Sequence, residues 1–141
     1  MKFWDASAVV PLLVAEPASR SMLGLLRADR AMVTWWATPV ECVSALCRRE
    51  REGALEPSGV THALRRLELL RQAWHEIEPS HVLRTIAERL LRTHPIRAAD
   101  ALQLAAATVA ARHEPPRLSF VCLDERLVLA ATREGLPVIS S

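Results

Sequence analysis

The stretch SFVCLD (residues 119–124) decides the fold, because it joins an apolar strand directly to an acidic residue that begins a helix. Four of its first five residues are apolar or cysteine, which predicts a buried strand. Asp124 follows at once and stands where the next helix begins. The N-terminus repeats this order, since residues 2–4 predict a strand, Asp5 follows, and a helix comes next. Two strand–acid–helix units predict parallel strands joined by helices.

The rest of the chain alternates in the same way. Predicted strands cover residues 2–4, 31–35, 75–78, 119–123 and 136–139, and predicted helices cover residues 7–14, 18–28, 38–52, 97–112 and 124–134. Two further helices are predicted, one that opens at residue 57 or 58 and carries apolar residues 60 to 70, and one capped by Ser80 that carries apolar residues 82 to 91. Thr38 is the predicted N-cap of the third helix, Gly53 its stop signal, and Ser80 the cap of the fifth helix. Pro115 and Pro116 predict a break before the fourth strand. We therefore expect one α/β domain over residues 1–141, a sandwich with a mainly parallel central sheet.

Composition excludes several classes of function. Half of the 141 residues are hydrophobic, which suffices for a core without disulfides. Lys2 is the only lysine among 18 basic residues, so neither a P-loop nor a Schiff-base lysine is available. The three cysteines form no Cys-x-x-Cys motif, which speaks against a zinc knuckle. No apolar run reaches the length of a membrane span, and we expect a soluble cytoplasmic protein.

Four carboxylates occupy the places where a parallel sheet carries its function. Asp5 and Asp124 each follow a predicted strand, and Glu41 and Asp100 each lie in the first turns of a predicted helix. In such sheets ligands bind where strands end and helices begin. Mg²⁺ prefers carboxylate oxygens, and carboxylates packed together repel each other unless cations or protons neutralise them. The four acids therefore predict a site for divalent cations.

Each acid also has a purely structural interpretation. Asp5 could end its strand in a turn, and Asp124 could simply cap its helix. Glu41 could close a capping box with Thr38, which on local grounds is the better interpretation. Asp100 could only favour the dipole of its helix. The sequence leaves these alternatives open for each residue singly, and the shared location of all four favours the common site.

Two other polar residues are candidates for the same site. Ser7 could hold a metal-bound water or cap the first helix, and capping is the stronger expectation. Arg97 could contact phosphate or pair with Asp100, three residues later on the same helix face.

Five segments in this order resemble PIN-domain ribonucleases. They are FWDASA (residues 3–8), PVECVSAL (39–46), IRAADALQLA (96–105), FVCLDERL (120–127) and GLPV (135–138). The chain is short and carries no extra domain, which is most similar to the VapC toxins of type II toxin–antitoxin pairs. The resemblance implies a PIN-like three-layer α/β/α sandwich.

The resemblance also implies an activity. A PIN-domain toxin would be a Mg²⁺- or Mn²⁺-dependent endoribonuclease that hydrolyses RNA through a metal-activated water. It would be a homodimer inhibited by a VapB-type antitoxin protein. By motif position, Asp5, Glu41, Asp100 and Asp124 would hold the metal and carry catalysis.

By the same resemblance, Ser7 would be an accessory residue, and Arg97 is a candidate accessory residue for phosphate. Cys122 departs from the resemblance, because the family often has Ser or Thr at this position. The site near Asp124 is therefore expected to lack a supporting hydroxyl group.

Two alternatives remain open. Related folds include structure-specific DNA nucleases, although these normally have longer insertions to clasp a duplex. A non-catalytic PIN-like binding module would be expected to lose some of the four acids, and this sequence retains all of them.

Overall fold

The computed structural model describes residues 1–112 and 118–141. The strands are β1 (Lys2–Trp4), β2 (Met32–Trp35), β3 (His75–Ile77), β4 (Ser119–Val121) and β5 (Val138–Ile139). The helices are α1 (Ala6–Leu13), α2 (Ser19–Ala28), α3 (Thr38–Arg51), α4 (Pro57–Arg71), α5 (His81–Thr93), α6 (Ala98–Ala111) and α7 (Glu125–Arg133). The predicted break at Pro115 and Pro116 lies outside the described residues.

The five strands form one sheet in the order β3-β2-β1-β4-β5, and every adjacent pair is parallel. From β1 the chain runs outward through β2 to β3, then returns to the other side of β1 with β4 and continues to β5. The order of strands therefore reverses between β1 and β4. In open parallel sheets the crevice at this reversal, beyond the carboxyl ends of the strands, is where ligands bind. Asp5 directly follows β1, and Asp124 lies three residues beyond the end of β4.

Side chains that alternate along the strands divide the core between the two faces of the sheet. Phe3 and Phe120 point into one hydrophobic cluster, where their rings stack with centroids 5.7 Å apart. Trp4 and Val121, the next residues in each strand, belong to a second cluster. Helices α5, α6 and α7 cover the first face, and α1 to α4 contribute to the second. The three-layer α/β/α sandwich of PIN-like type is thus confirmed, and the described sheet is parallel throughout.

Two predicted helix caps are wrong. Helix α1 begins one residue earlier than predicted, and its cap is Asp5, whose carboxylate accepts the backbone N–H of Ser7 at 2.9 Å. Helix α3 has Ala37 as its N-cap, without a side-chain bond, and Thr38 is its first residue. The Thr38 hydroxyl is buried and accepts a hydrogen bond from Gln103 at 3.1 Å instead. At α1 the neighbouring carboxylate of Asp5 is the cap instead of Ser7. At α3 the contact with Gln103, distant in sequence, uses the Thr38 hydroxyl.

Other local signals are confirmed. The Ser80 hydroxyl accepts the backbone N–H of Leu83 at 3.1 Å and caps α5. Gly53 and Gly135 follow α3 and α7 with φ of 75° and 85°, a conformation that glycine adopts without steric cost. No helix among residues 1–112 and 118–141 is both long and apolar enough to cross a membrane.

We predict that the face covered by α6 carries much of the stability. Leu104 on α6 is fully buried, so Leu104→Ala should lower the free energy of unfolding by about 2–5 kcal/mol. The matched control is Leu69→Ala on α4, which is 66% exposed and should cost about 0.5 kcal/mol or less. Urea unfolding followed by circular dichroism measures both. Equal losses in the two variants would contradict the assignment of the core.

Candidate active site

All four predicted acids line one cavity of about 570 Å³ at the reversal of strand order. Asp5 follows β1, Glu41 lies in the first turn of α3, Asp100 in that of α6, and Asp124 caps α7. The remaining lining residues are Ala6, Ser7, Val10, Val40, Ser44, Ala45, Arg48, Arg49 and Ala99. The fold therefore brings together acids that are up to 119 residues apart in sequence.

Asp5 is the most buried of the four acids, with 5% of its surface exposed. Burial raises the pKa of its carboxyl, and the negative charge of Asp100 raises it further, whereas hydrogen bonds from the Ser7 hydroxyl and backbone N–H lower it. The Ser7 hydroxyl donates to Asp5 and accepts the backbone N–H of Leu123 at 2.9 Å. Ser7 thus fixes the Asp5 carboxylate against the segment that follows β4.

Glu41 is held by a residue that sequence reasoning did not single out. The Gln103 amide nitrogen donates to Glu41 Oε2 at 2.6 Å and to the Thr38 hydroxyl at 3.1 Å. Gln103 is 1% exposed, and its Oε1 is buried without a partner among the described residues. Leaving an amide oxygen unpaired is unfavourable, so the fold keeps Gln103 at a cost in stability. The interaction also means that Glu41 does not close a capping box with Thr38.

Burial is the main reason that the pKa of Glu41 is raised from 4.5 to about 7. The negative charges of Asp5 and Asp100 raise this pKa further, and the hydrogen bond from Gln103 opposes the rise. The acids therefore interact electrostatically, as expected for carboxylates that share a cavity.

Asp100 and Asp124 both hold the first turn of a helix. One oxygen of Asp100, Oδ2, accepts the backbone N–H of Arg97 at 3.1 Å at the start of α6. Asp124 Oδ1 accepts the backbone N–H of Leu127 at 3.0 Å and caps α7. The structural interpretation of these two acids is thus confirmed, but it involves one oxygen of each carboxylate.

The same holds for all four acids. Their described hydrogen bonds are made by Oδ2 of Asp5, Oε2 of Glu41, Oδ2 of Asp100 and Oδ1 of Asp124. The second oxygen of each carboxylate has no hydrogen bond among the described residues and is not buried without a partner. Each carboxylate is therefore oriented by one oxygen and has the other available to a ligand in the cavity.

This donor set fits a hydrated hard cation. Within the described residues, no group of three or more His, Cys, Asp or Glu side chains is arranged to hold a metal ion by itself. Mg²⁺ retains several waters and is typically bound by one or two carboxylates rather than a complete protein cage. An open cavity with oriented carboxylate oxygens suits this mode of binding better than that of Zn²⁺, which prefers a closed set of nitrogen and sulfur ligands.

Cys122 contacts Asp5 and Asp124 at the position where the family that the sequence resembles often has a hydroxyl group. Its Sγ lies 3.6 Å from the Ser7 hydroxyl, 3.7 Å from Asp5 Oδ2 and 3.6 Å from the carbonyl oxygen of Asp124. Burial raises the pKa of this thiol, and the charge of Asp5 adds to the rise, so it remains protonated. A thiol is a weaker hydrogen-bond donor than a hydroxyl. The Ser7 hydroxyl is therefore the stronger support of Asp5.

Among the described residues, Arg48 and Arg49 line the cavity and Arg97 does not. Arg48 and Arg49 lie on α3, and sequence reasoning missed both, as it missed Gln103. The helical periodicity of the sequence could have identified Arg48 and Gln103. Arg48 is seven residues after Glu41, and Gln103 is three residues after Asp100, so each lies on the same helix face as one of the acids.

The fold is shared with solved structures of toxin–antitoxin proteins, although no family model and no curated protein matches the chain. FitAcB from Neisseria gonorrhoeae is 16% identical, with a TM-score of 0.67 over 99% of this chain and 97% of the other. A toxin–antitoxin complex from Klebsiella pneumoniae is 15% identical, with a TM-score of 0.65 over 99% and 97%. VapBC2 from Rickettsia felis, bound to a promoter DNA fragment, is 12% identical, with a TM-score of 0.66 over 99% and 98%. At these identities the likeness is one of fold alone, and it confirms the predicted fold.

The raised pKa of Glu41 predicts how stability depends on pH in the absence of divalent cations. Between pH 4.5 and about 7 the folded state binds more protons at Glu41 than the unfolded state does. The stabilisation from protonated Glu41 is therefore complete below pH 4.5 and is lost as pH rises through about 7. Asp5 acts in the same direction, because its pKa is also raised.

Glu41→Gln should accordingly make the fall in unfolding free energy between pH 5 and 8 shallower. Urea unfolding in EDTA at several pH values measures the slope. Glu88→Gln, on the exposed side of α5, is the matched control and should keep the slope of the parent protein. An unchanged slope in Glu41→Gln would show that this glutamate is not its source.

Proposed function

We propose that the protein is a Mg²⁺- or Mn²⁺-dependent endoribonuclease that hydrolyses RNA phosphodiester bonds. The observation that carries the proposal is the set of four carboxylates in one cavity, each oriented by one oxygen and with the other available to a ligand. The shared fold of the toxin–antitoxin structures supports it.

Asp5, Glu41, Asp100 and Asp124 would hold the cation. When bound, the cation supplies a Lewis acid that lowers the pKa of water and neutralises charge on the phosphate. Glu41 would hold the cation directly or through a water, and it would orient the attacking water. Ser7 and Gln103 would keep the Asp5 and Glu41 carboxylates in position.

The biological role that we propose is that of the toxin in a VapBC-type pair. The similar structures from Klebsiella pneumoniae and Rickettsia felis are described as a toxin–antitoxin complex and as VapBC2. By analogy, the partner of this chain would be a small VapB-type antitoxin, and the protein would act as a cytoplasmic homodimer with a single PIN domain over residues 1–141. Arg97, exposed at the start of α6, stays a candidate for contact with phosphate near this site.

Removing one negative charge from the cavity should abolish RNA cleavage. Asp5→Asn and Asp100→Asn should each lower kcat/KM on RNA by about 100-fold or more, since each deletes a charge that holds the cation. Asp29→Asn, at the N-terminal end of the sheet, is the matched control and should cleave like the parent protein. Gel assays with Mg²⁺, Mn²⁺ or EDTA, on RNA and on DNA of the same sequence, measure this.

Three outcomes would contradict the proposal. They are full activity in Asp5→Asn, cleavage that persists in EDTA, and cleavage of DNA but not RNA. The last result would instead favour the DNA nuclease alternative.

The toxin role predicts an effect on growth. Induced expression of the parent chain in a bacterial host should arrest growth, and Asp100→Asn at equal protein level should relieve the arrest because it removes cleavage. Growth curves with immunoblots of the expressed chains measure both. Arrest that persists in Asp100→Asn would separate toxicity from nuclease activity and argue against the role.

A further inference from the structure

We propose that Arg48 on α3 forms a subsite that binds a backbone phosphate of the RNA strand beside the acidic cavity. The inference rests on the proposed nuclease function and specifies where the substrate is held. Arg48 lines the same cavity as the four acids, and its side chain is exposed.

The position of Arg48 follows from the periodicity of α3. Glu41, Ser44 and Arg48 are spaced by three and four residues, which places them on one face of the helix, and all three line the cavity. Seven residues span roughly 10 Å along a helix axis. Arg48 is therefore displaced from the acids along the wall of the cavity. A strand bound at the acids would be contacted there through a neighbouring phosphate.

The two adjacent arginines of this wall differ in their interactions. The Arg49 guanidinium forms an ion pair with Glu16 and donates to the carbonyl oxygen of Ala45 at 3.2 Å. Arg48 has no carboxylate within 4 Å and no side-chain hydrogen bond among the described residues. Arg49 is thus part of the folded framework, whereas the guanidinium of Arg48 is available to an external anion.

The negative charge of the cavity explains why a positively charged side chain beside the acids would help to bind RNA. Four carboxylates repel the phosphates of an approaching strand, and the cation held by the acids would act on one phosphate only. A guanidinium offers a planar fork of donors that matches the oxygens of a phosphate. A carboxylate of a protein partner could use the same fork. We favour RNA, because Arg48 shares its cavity with the acids past which the substrate strand has to run.

Binding measured without catalysis tests the subsite. The probe is a fluorescein-labelled single-stranded RNA of mixed sequence, titrated with protein in EDTA and followed by fluorescence anisotropy at several salt concentrations. Arg48→Ala should weaken binding about tenfold, the lower end for a charge-assisted hydrogen bond. It should also reduce the slope of log K against log salt by about 0.7, as expected for one lost phosphate contact on a single strand.

Arg49→Ala is the matched control, since it removes the same charge from the next residue of α3. It should leave RNA affinity within about twofold of the parent, because the Arg49 guanidinium is already engaged by Glu16. Arg48→Lys keeps the charge but loses the fork, and its affinity should lie between those of Arg48→Ala and the parent. Thermal unfolding of each variant confirms that the fold is retained.

With Mg²⁺ present, Arg48→Ala should raise KM for RNA more than it lowers kcat. The proposal is overturned if the parent binds and cleaves RNA while Arg48→Ala matches Arg49→Ala in affinity and salt slope. That result would show that the Arg48 guanidinium does not contact the RNA strand. Failure of the parent chain to cleave RNA with Mg²⁺ or Mn²⁺ would instead overturn the nuclease function, so the two failures are distinguishable. If the parent cleaves RNA but does not bind it in EDTA, an unchanged KM in Arg48→Ala overturns the subsite.

Discussion

The cost of placing four carboxylates in one partly buried cavity, where burial and mutual repulsion both disfavour their charged forms, is the constraint on which the rest of this site depends. Asp5 and Glu41 both have a raised pKa, mainly because burial disfavours the charged form. The fold offsets part of this cost by placing all four acids at the N-terminal ends of helices, where the helix dipole favours negative charge. The remaining cost favours the binding of protons or cations, and the site would be more stable once they are bound.

Asp5 links the constraint to the topology of the sheet. It follows the central strand β1, it caps α1, and through the Ser7 hydroxyl it is connected to the backbone of Leu123 after β4. These contacts join the segments that follow β1 and β4, the two strands between which the order of strands reverses. The sheet therefore fixes the position of the Asp5 carboxylate. For this reason the same residue stabilises the fold and lines the cavity.

The sequence predicted the sheet, the helices and the four acids, because each depends on a pattern within a few residues. The strand–acid–helix order around Asp5 and Asp124 is such a local pattern. Prediction failed where a distant residue competed with the local one. Thr38 was predicted to be a helix cap, but its hydroxyl accepts a hydrogen bond from Gln103, 65 residues away. Arg48 could be separated from Arg49 only when the fold had brought Glu16 to one of them.

The structural and catalytic interpretations of the acids turn out to be compatible. Capping uses one oxygen of the carboxylates of Asp5, Asp100 and Asp124, and asparagine caps a helix about as well as aspartate does. A role as cation ligand depends on the negative charge, which asparagine lacks. An Asp→Asn change therefore keeps the first turn of each helix and removes the charge alone. Burial disfavours the charged form of Asp5, so Asp5→Asn should be no less stable than the parent in the absence of cations, even if it loses the ability to bind them.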